Sequence, residues 1–123
     1  MGYWKVSWQR GVLMGYIPKQ GDIVLLEFNP QPGHEQKGRR PAIVVSNNTF
    51  NQFTKIGIVC PITKTNRGFP LHVQLDERTK TSGVIMCEQV KSLNISARNA
   101  SFIEKAPKDI LEEVTDILIG FVQ

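Results

Sequence analysis

Residues 33–46 combine polar side chains that could act on a phosphate with a strand that could hold them in place. Between Gly33 and Pro41 the chain carries histidine, glutamate, glutamine, lysine and two adjacent arginines, and β-branched apolar residues follow. Because proline biases the preceding residue toward extended backbone, Arg40 should project from a defined point at the start of that strand. The planar arginine fork suits phosphate oxygens, and the neighbouring side chains can donate or accept protons. The mixture favours phosphate chemistry, and a solvated charged loop is the alternative.

The composition describes one small, moderately basic domain. The chain has 123 residues with 41% hydrophobic and 21% charged residues, which is typical of a single globular domain with a modest core. Its net charge of +4 favours a polyanionic partner, either a nucleic acid or an acidic protein. The longest apolar run is far too short to span a bilayer, so no membrane association is expected.

The cysteines and histidines predict neither a disulfide framework nor a metal site. Cys60 and Cys87 lie in apolar runs, and neither belongs to a CxxC motif. We expect them to be buried thiols of a protein in a reducing compartment, the cytoplasm. His34 and His72 are far apart in sequence, with no carboxylate or thiol at ligand spacing, so we expect no bound metal and no cofactor.

Residues 1–13 differ in composition from the rest of the chain. They contain two tryptophans, Lys5 and Arg10 but no small-residue cleavage site, so they do not have the pattern of a signal peptide. We interpret them as an N-terminal extension, either a translated leader or an added segment, and hypothesise that Met14 is the natural start. A single domain is then expected over residues 14–123.

Apolar and alternating runs predict five strands, over residues 21–28, 42–46, 56–62, 71–75 and 83–93. Residues 47–54 are predicted to form a loop or a short helical turn, and Pro61 is expected to end the third strand because it lacks a donor. After Pro107, apolar residues recur at helical spacing, at Ile110, Leu111, Val114, Ile117, Leu118 and Phe121. The pattern predicts a mainly β (α+β) fold, a small SH3-like antiparallel barrel with a C-terminal helix as its lid. A partner-binding helix is the alternative.

Several segments, in this order and spacing, resemble the MazF/PemK toxins of bacterial toxin–antitoxin systems. The resemblance covers about residues 15 to 120 and is carried by Gly21-Asp22, by Gly33-His34-Glu35-Gln36 with Arg40-Pro41-Ala42, by Pro61-Ile62-Thr63 and by Glu88-Gln89-Val90-Lys91-Ser92. It implies a homodimer with the MazF/CcdB-like fold that cuts single-stranded RNA, such as mRNA, without a metal. The implied products are a 2′,3′-cyclic phosphate and a 5′-hydroxyl. It also implies a cognate antitoxin whose acidic segment covers the RNA site.

The resemblance places the family's catalytic arginine on Arg40 and its catalytic threonine on Thr63. Glu35 is a candidate for the group that accepts the 2′-hydroxyl proton; pairing with Lys37 or Arg39 is the alternative. For Thr63 the alternative is a residue that closes a turn. The candidate RNA-binding residues are His34, Gln36, Lys37, Arg39, Lys64, Arg67, Phe69, Gln89, Lys91 and Ser92. Gln89 and Lys91 are expected on one side of an alternating strand.

Two other functions fit the same architecture. Relatives with this fold poison DNA gyrase without cutting RNA, and an SH3-like module could bind a protein or nucleic acid without chemistry. The pairing of Arg40 with Thr63 favours the ribonuclease. The variable loop at 63–69 is expected to shape sequence choice, so the recognised RNA sequence does not follow from the resemblance.

Overall fold

The computed structural model describes residues 16–28, 38–65, 68 and 70–123. These residues form strands β1 (Asp22–Glu27), β2 (Arg39–Val44), β3 (Gly57–Thr63), β4 (His72–Gln74), β5 (Val84–Met86), β6 (Lys91–Leu93) and β7 (Ser101–Lys105). They also form helices α1 (Asn48–Thr54) and α2 (Lys108–Val122), and short 3-10 turns at Cys87–Gln89 and Ser96–Arg98.

Every pair of neighbouring strands is antiparallel, and the strand order is β4-β5-β3-β2-β1-β7. Strand β3 is central: β2 lies along one edge, while β6 and β5 share the other edge, β6 on the first half and β5 on the second. Among the described residues β4 and β7 remain the two ends of an open sheet. The antiparallel architecture with its C-terminal helix is therefore confirmed, whereas closure into a barrel stays a prediction.

The sheet buries an apolar cluster on each of its two faces. One cluster includes Ile23, Ile43 and Ile85 and is covered by Ile110 and Val114 of α2. The other cluster contains Val24, Leu26, Phe28, Ala42, Val44, Val59, Leu93 and Ile95. The predicted helix after Pro107 and its role as a cover are thus confirmed. Cys60 and Cys87 are free and buried in the first cluster, as expected.

The prediction that Pro61 ends the third strand is wrong. Pro61 pairs with Ala42, and β3 continues to Thr63. The Val45 N–H donates to the Ile58 carbonyl at 2.8 Å, so by alternation Pro61 occupies a non-hydrogen-bonded position toward β2. Its nitrogen points to the other edge of β3, between the residues that pair with β6 and those that pair with β5. The missing N–H donor therefore removes no hydrogen bond between β3 and β2.

Other element predictions need correction. The predicted strand 83–93 is interrupted by the 3-10 turn Cys87–Gln89, after which β6 resumes pairing with β3 in a shifted register. β2 begins at Arg39, before the expected Ala42, because its first residues pair with β1. For residues 47–54, by contrast, the helical alternative is confirmed: helix α1 follows Asn47, whose side chain accepts from the Phe50 N–H at 2.8 Å. Strand β7 was not predicted.

Candidate active site

A cleft of about 580 Å³ lies where β2 begins and β3 ends. The β2–β3 register, with Ala42 opposite Pro61, brings Arg40 opposite Thr63 when it is continued toward the start of β2. Both residues line the cleft. The two side chains that the sequence placed at the centre of the chemistry therefore meet in one concave site.

Arg40 is held by its backbone and leaves its guanidinium available. Its backbone pairs with Leu26 of β1, and its side chain is exposed at the cleft. Within the described part of the chain the guanidinium makes no hydrogen bond or ion pair. A planar group with several unused donors can bind two oxygens of one phosphate.

Thr63 is the last residue of β3 and is half-buried. Its hydroxyl oxygen accepts a hydrogen bond from the Thr65 N–H at 3.2 Å, so the residue does stabilise the turn after the strand. This bond uses a lone pair of the oxygen and leaves the O–H free to donate. The turn-closing role and a role toward a substrate are thus compatible.

The cleft is strongly cationic. Among its described lining residues are Arg39, Arg40, Lys64 and Lys80, and none of those lining residues is a carboxylate. Cations crowded into one concave surface focus a positive potential that attracts a polyanion. This charge pattern suits either of the polyanionic partners that the composition predicts, a nucleic acid or an acidic protein.

Arg39 lines the same cleft but is partly engaged by the protein itself. Its guanidinium donates to the Asn99 carbonyl at 3.1 Å and to the Ser101 hydroxyl at 3.0 Å. These bonds tie the start of β2 to the start of β7, beside Arg40. Arg39 therefore has a structural role next to the site, and its predicted RNA contact stays a prediction.

Gln89, Lys91 and Ser92 are not brought into the cleft. Lys91 and Ser92 lie on β6, which pairs with the first half of β3, whereas Thr63 is at its other end. Gln89 belongs to the 3-10 turn, so the prediction that Gln89 and Lys91 share one side of a strand is wrong. The Lys91 ammonium stands 5.4 Å from the centroid of the Phe28 ring, a cation–π contact.

The remaining candidates divide into one that lines the cleft and several outside the described residues. Lys64 lines the cleft, as expected. Outside the described residues lie His34, Glu35, Gln36, Lys37, Arg67 and Phe69. Their proposed roles stay predictions.

Sequence reasoning missed one polar segment of the lining, which consists of Lys80, Thr81 and Ser82. They belong to the loop between β4 and β5, where the charged sequence is typical of a solvated turn. The glycine that follows them, Gly83, was the one local signal, because a glycine beside a polar turn often marks a close backbone approach.

The described residues hold no group of three or more histidine, cysteine, aspartate or glutamate side chains placed to bind a metal ion. In the same part of the chain, neither helix has the length and apolar character needed to cross a membrane.

Residues 19–122 match the family model described as PemK-like, MazF-like toxin of type II toxin–antitoxin system. The chain belongs to this family. Among curated members, it is 37% identical over 108 residues to the endoribonuclease toxin MazF of Escherichia coli K12, covering 85% of this chain and 96% of that protein. It is 40% identical over 103 residues to the endoribonuclease toxin ChpB of the same strain, covering 77% of this chain and 85% of that protein.

Solved structures of the PemK/MazF family share the fold. MazF from Deinococcus radiodurans superposes with a TM-score of 0.77 at 39% identity, covering 87% of this chain and 97% of that one. A MazE–MazF structure from the same organism gives a TM-score of 0.75 at 34% identity, covering 87% of this chain and 96% of that one. The predicted family and fold are thereby confirmed.

Proposed function

We propose that this PemK/MazF family member is a toxin endoribonuclease that cuts single-stranded RNA, including mRNA, at a short sequence and without a metal. The observation that carries the proposal is the meeting of Arg40 and Thr63 in one cationic cleft. Relatives of this chain are named endoribonucleases, which supports the same activity here.

Metal-free cleavage needs charge stabilisation at the phosphate and two proton transfers. The 2′-oxygen attacks phosphorus, the bond to the 5′-oxygen breaks, and the products are a 2′,3′-cyclic phosphate and a 5′-hydroxyl. Arg40 stabilises the negative charge of the phosphorane, a contribution on the order of 10²–10³ in rate for one preorganised donor. Thr63 donates its O–H to a phosphate oxygen or orients the 2′-hydroxyl.

Removal of the 2′-hydroxyl proton requires a group that is unprotonated near neutral pH. Arginine stays protonated in water, so Arg40 does not take the 2′-hydroxyl proton. Glu35, five residues before Arg40 in the sequence, is our candidate acceptor. The acid that returns a proton to the 5′-oxygen is either this protonated carboxyl or His34.

Incubation of the purified protein with long single-stranded RNA tests the proposal. We expect discrete fragments with 5′-hydroxyl ends and cyclic phosphates at the preceding 3′ ends, and mapping those ends will give the recognised sequence. EDTA should leave the rate unchanged, because the lining cations supply the charge stabilisation. Inhibition by EDTA that a divalent ion reverses would contradict metal-independent cleavage.

The same assay separates the rival functions. A protein that retains RNA without producing new ends would be a binding module of this fold. Intact RNA together with inhibition of DNA supercoiling by purified gyrase would identify the gyrase-binding alternative.

We also propose a cognate antitoxin that neutralises this toxin in the cytoplasm. Structures of MazE–MazF complexes support such a partner for this chain. The cationic cleft is complementary to an acidic segment, which would exclude RNA by occupying the same site. The buried free thiols Cys60 and Cys87 suit the reducing conditions of that compartment.

A second, uncharged surface supports the proposed homodimer. A groove of about 500 Å³ runs between the end of α2 and the corner joining β2 to α1, and its described lining contains no charged residue. Ile119 and Val122, which line it, are 49% and 84% exposed. An apolar surface without charge suits a second copy of the chain better than an acidic antitoxin.

Replacing Ile119 by lysine should convert the dimer to a monomer. The added charge would be buried in the proposed interface, while lysine near the end of α2 remains compatible with the helix. Sedimentation or light scattering should give about half the wild-type mass. The matched control is Phe53→Lys, at an exposed apolar residue of α1 outside the groove. An unchanged mass for folded Ile119→Lys would refute this interface.

A further inference from the structure

The loop between β4 and β5 forms a wall of the cleft opposite Arg40 that the sequence did not predict. β4 and β5 pair as a hairpin, with Gln74 opposite Val84. The connecting loop places Lys80, Thr81 and Ser82 on the cleft lining. These three residues, here called the 80–82 wall, face the same space as Thr63.

Glu104 of β7 holds the 80–82 wall in place through three hydrogen bonds. Its carboxylate accepts the Lys80 N–H at 3.1 Å, the Thr81 N–H at 2.8 Å and the Thr81 hydroxyl at 2.8 Å. Burial raises the pKa of the Glu104 carboxyl, but the hydrogen bonds from Thr81 and Lys80, together with the positive charge of Lys80, outweigh that effect and hold the pKa below its ordinary value. Glu104 is therefore an ionised clamp near neutral pH.

Gly83 fixes the other end of the wall against Thr63. Its φ is +121°, and a Cβ there would lie 2.2 Å from the Thr63 carbonyl oxygen and 3.2 Å from Lys64 Cα. Only a residue without a side chain can approach the backbone of β3 this closely. The wall is thus positioned relative to Thr63 by a direct backbone contact.

Lys80 presents its charge to the cleft from this fixed support. The residue is exposed, and no carboxylate among the described residues lies within 4 Å of its ammonium. The Glu104 carboxylate is occupied by the backbone and hydroxyl donors of the same segment. The Lys80 ammonium has no ion pair within 4 Å among the described residues and lines the same cleft as the Arg40 guanidinium, so it can bind a second anionic group.

We propose that Lys80 binds an RNA phosphate next to the scissile one, and that Glu104 is the positioning residue that holds it there. The proposal rests on the proposed function for its ligand. A cleft of about 580 Å³ accommodates more than one phosphate group. Arg40 and Thr63 then act on one phosphate while Lys80 sets the register of the strand.

The salt dependence of binding tests the Lys80 contact. The probe is a fluorescent pool of single-stranded oligonucleotides of randomised sequence. Each ribose carries a 2′-O-methyl group, so the probe has no 2′-hydroxyl nucleophile and is not cleaved. For Lys80→Gln we expect the slope of log K against log salt to become shallower by about 0.7, the value for one phosphate contact to a single strand. An unchanged slope would overturn the proposal.

Lys19→Gln is the matched control, because it removes the same charge elsewhere. Lys19 is exposed and lies two residues before Gly21. The Gly21 N–H donates to the carbonyl of Val44, the last residue of β2, whereas Arg40 lies at the start of that strand. Its slope should equal that of wild type. An equal change in slope for both variants would show a general charge effect and also overturn the proposal.

The positioning role of Glu104 has its own readout. Glu104→Ala should raise KM for RNA several-fold while kcat changes by less than about twofold, because Arg40 and Thr63 do not depend on the clamp. Glu104→Gln keeps one acceptor oxygen and should recover most of the loss. A fall in kcat with unchanged KM would contradict the assignment.

The outcomes distinguish the two proposals. If wild type cuts RNA and Lys80→Gln binds with the wild-type slope, only the phosphate contact fails. If wild type does not cut RNA but the slope still falls in Lys80→Gln, the ribonuclease proposal fails and the contact remains as part of a nucleic-acid-binding site.

Discussion

Arg40→Ala is expected to lower the rate of RNA cleavage by a factor on the order of 10²–10³ or more, the effect of removing one preorganised donor from a developing oxyanion. The melting temperature should stay near that of wild type. Arg40 is exposed, and within the described residues its side chain makes no hydrogen bond or ion pair that folding depends on. Rates of single-turnover cleavage and a thermal melt measure the two expectations.

Arg40→Lys is the informative companion variant. It keeps the positive charge of the cleft but replaces a planar fork with a point charge. We expect binding of RNA to remain close to wild type while the cleavage rate falls, because two phosphate oxygens are no longer held together. Cleavage by folded Arg40→Ala at the wild-type rate would remove this residue from the mechanism.

Gly83→Ala is expected to destabilise the fold by about 3 kcal/mol or more in total. Backbone strain at an unfavourable φ contributes about 1–3 kcal/mol, and the steric clash adds to it. The new methyl group would lie 2.2 Å from the Thr63 carbonyl oxygen, so the hairpin or the end of β3 must move. Since Thr63 lines the cleft, the surviving folded protein should also cut RNA more slowly. Urea unfolding gives the free energy.

Gly68→Ala separates the clash from the backbone strain. Gly68 also has a positive φ, +70°, but a Cβ there would meet no atom of the described residues within 4 Å. We expect a loss of about 1 kcal/mol from the left-handed conformation alone. Equal losses for the two variants would mean that the contact between Gly83 and Thr63 contributes nothing to stability.

The parts of the fold that could be predicted are those with local signals. The β-branched runs predicted β1, β2 and β3, and helical spacing after Pro107 predicted α2. The family motif placed Arg40 and Thr63, and the antiparallel register then brought them together. Each of these inferences depends on residues that are close in sequence or on one recognised pattern.

The 80–82 wall could not be predicted because its support is distant in sequence. Glu104 lies on β7, a five-residue strand with a mixed sequence and no buried residue, which did not indicate a strand. Its pairing with β1 depends on the rest of the sheet being in place.

The error at Gln89 and Lys91 has a different cause. Strand periodicity was carried across the 3-10 turn, where the alternation of side chains does not continue.

The parts that complete the cleft come from the last quarter of the chain. β7 pairs with β1, Asn99 and Ser101 hold Arg39, and Glu104 clamps the 80–82 wall. Domains fold as units, at a synthesis rate of about 5–20 residues per second. A nascent chain in which residues 99–105 have not yet been synthesised therefore lacks these supports, so the cleft cannot be complete before β7 has paired with β1.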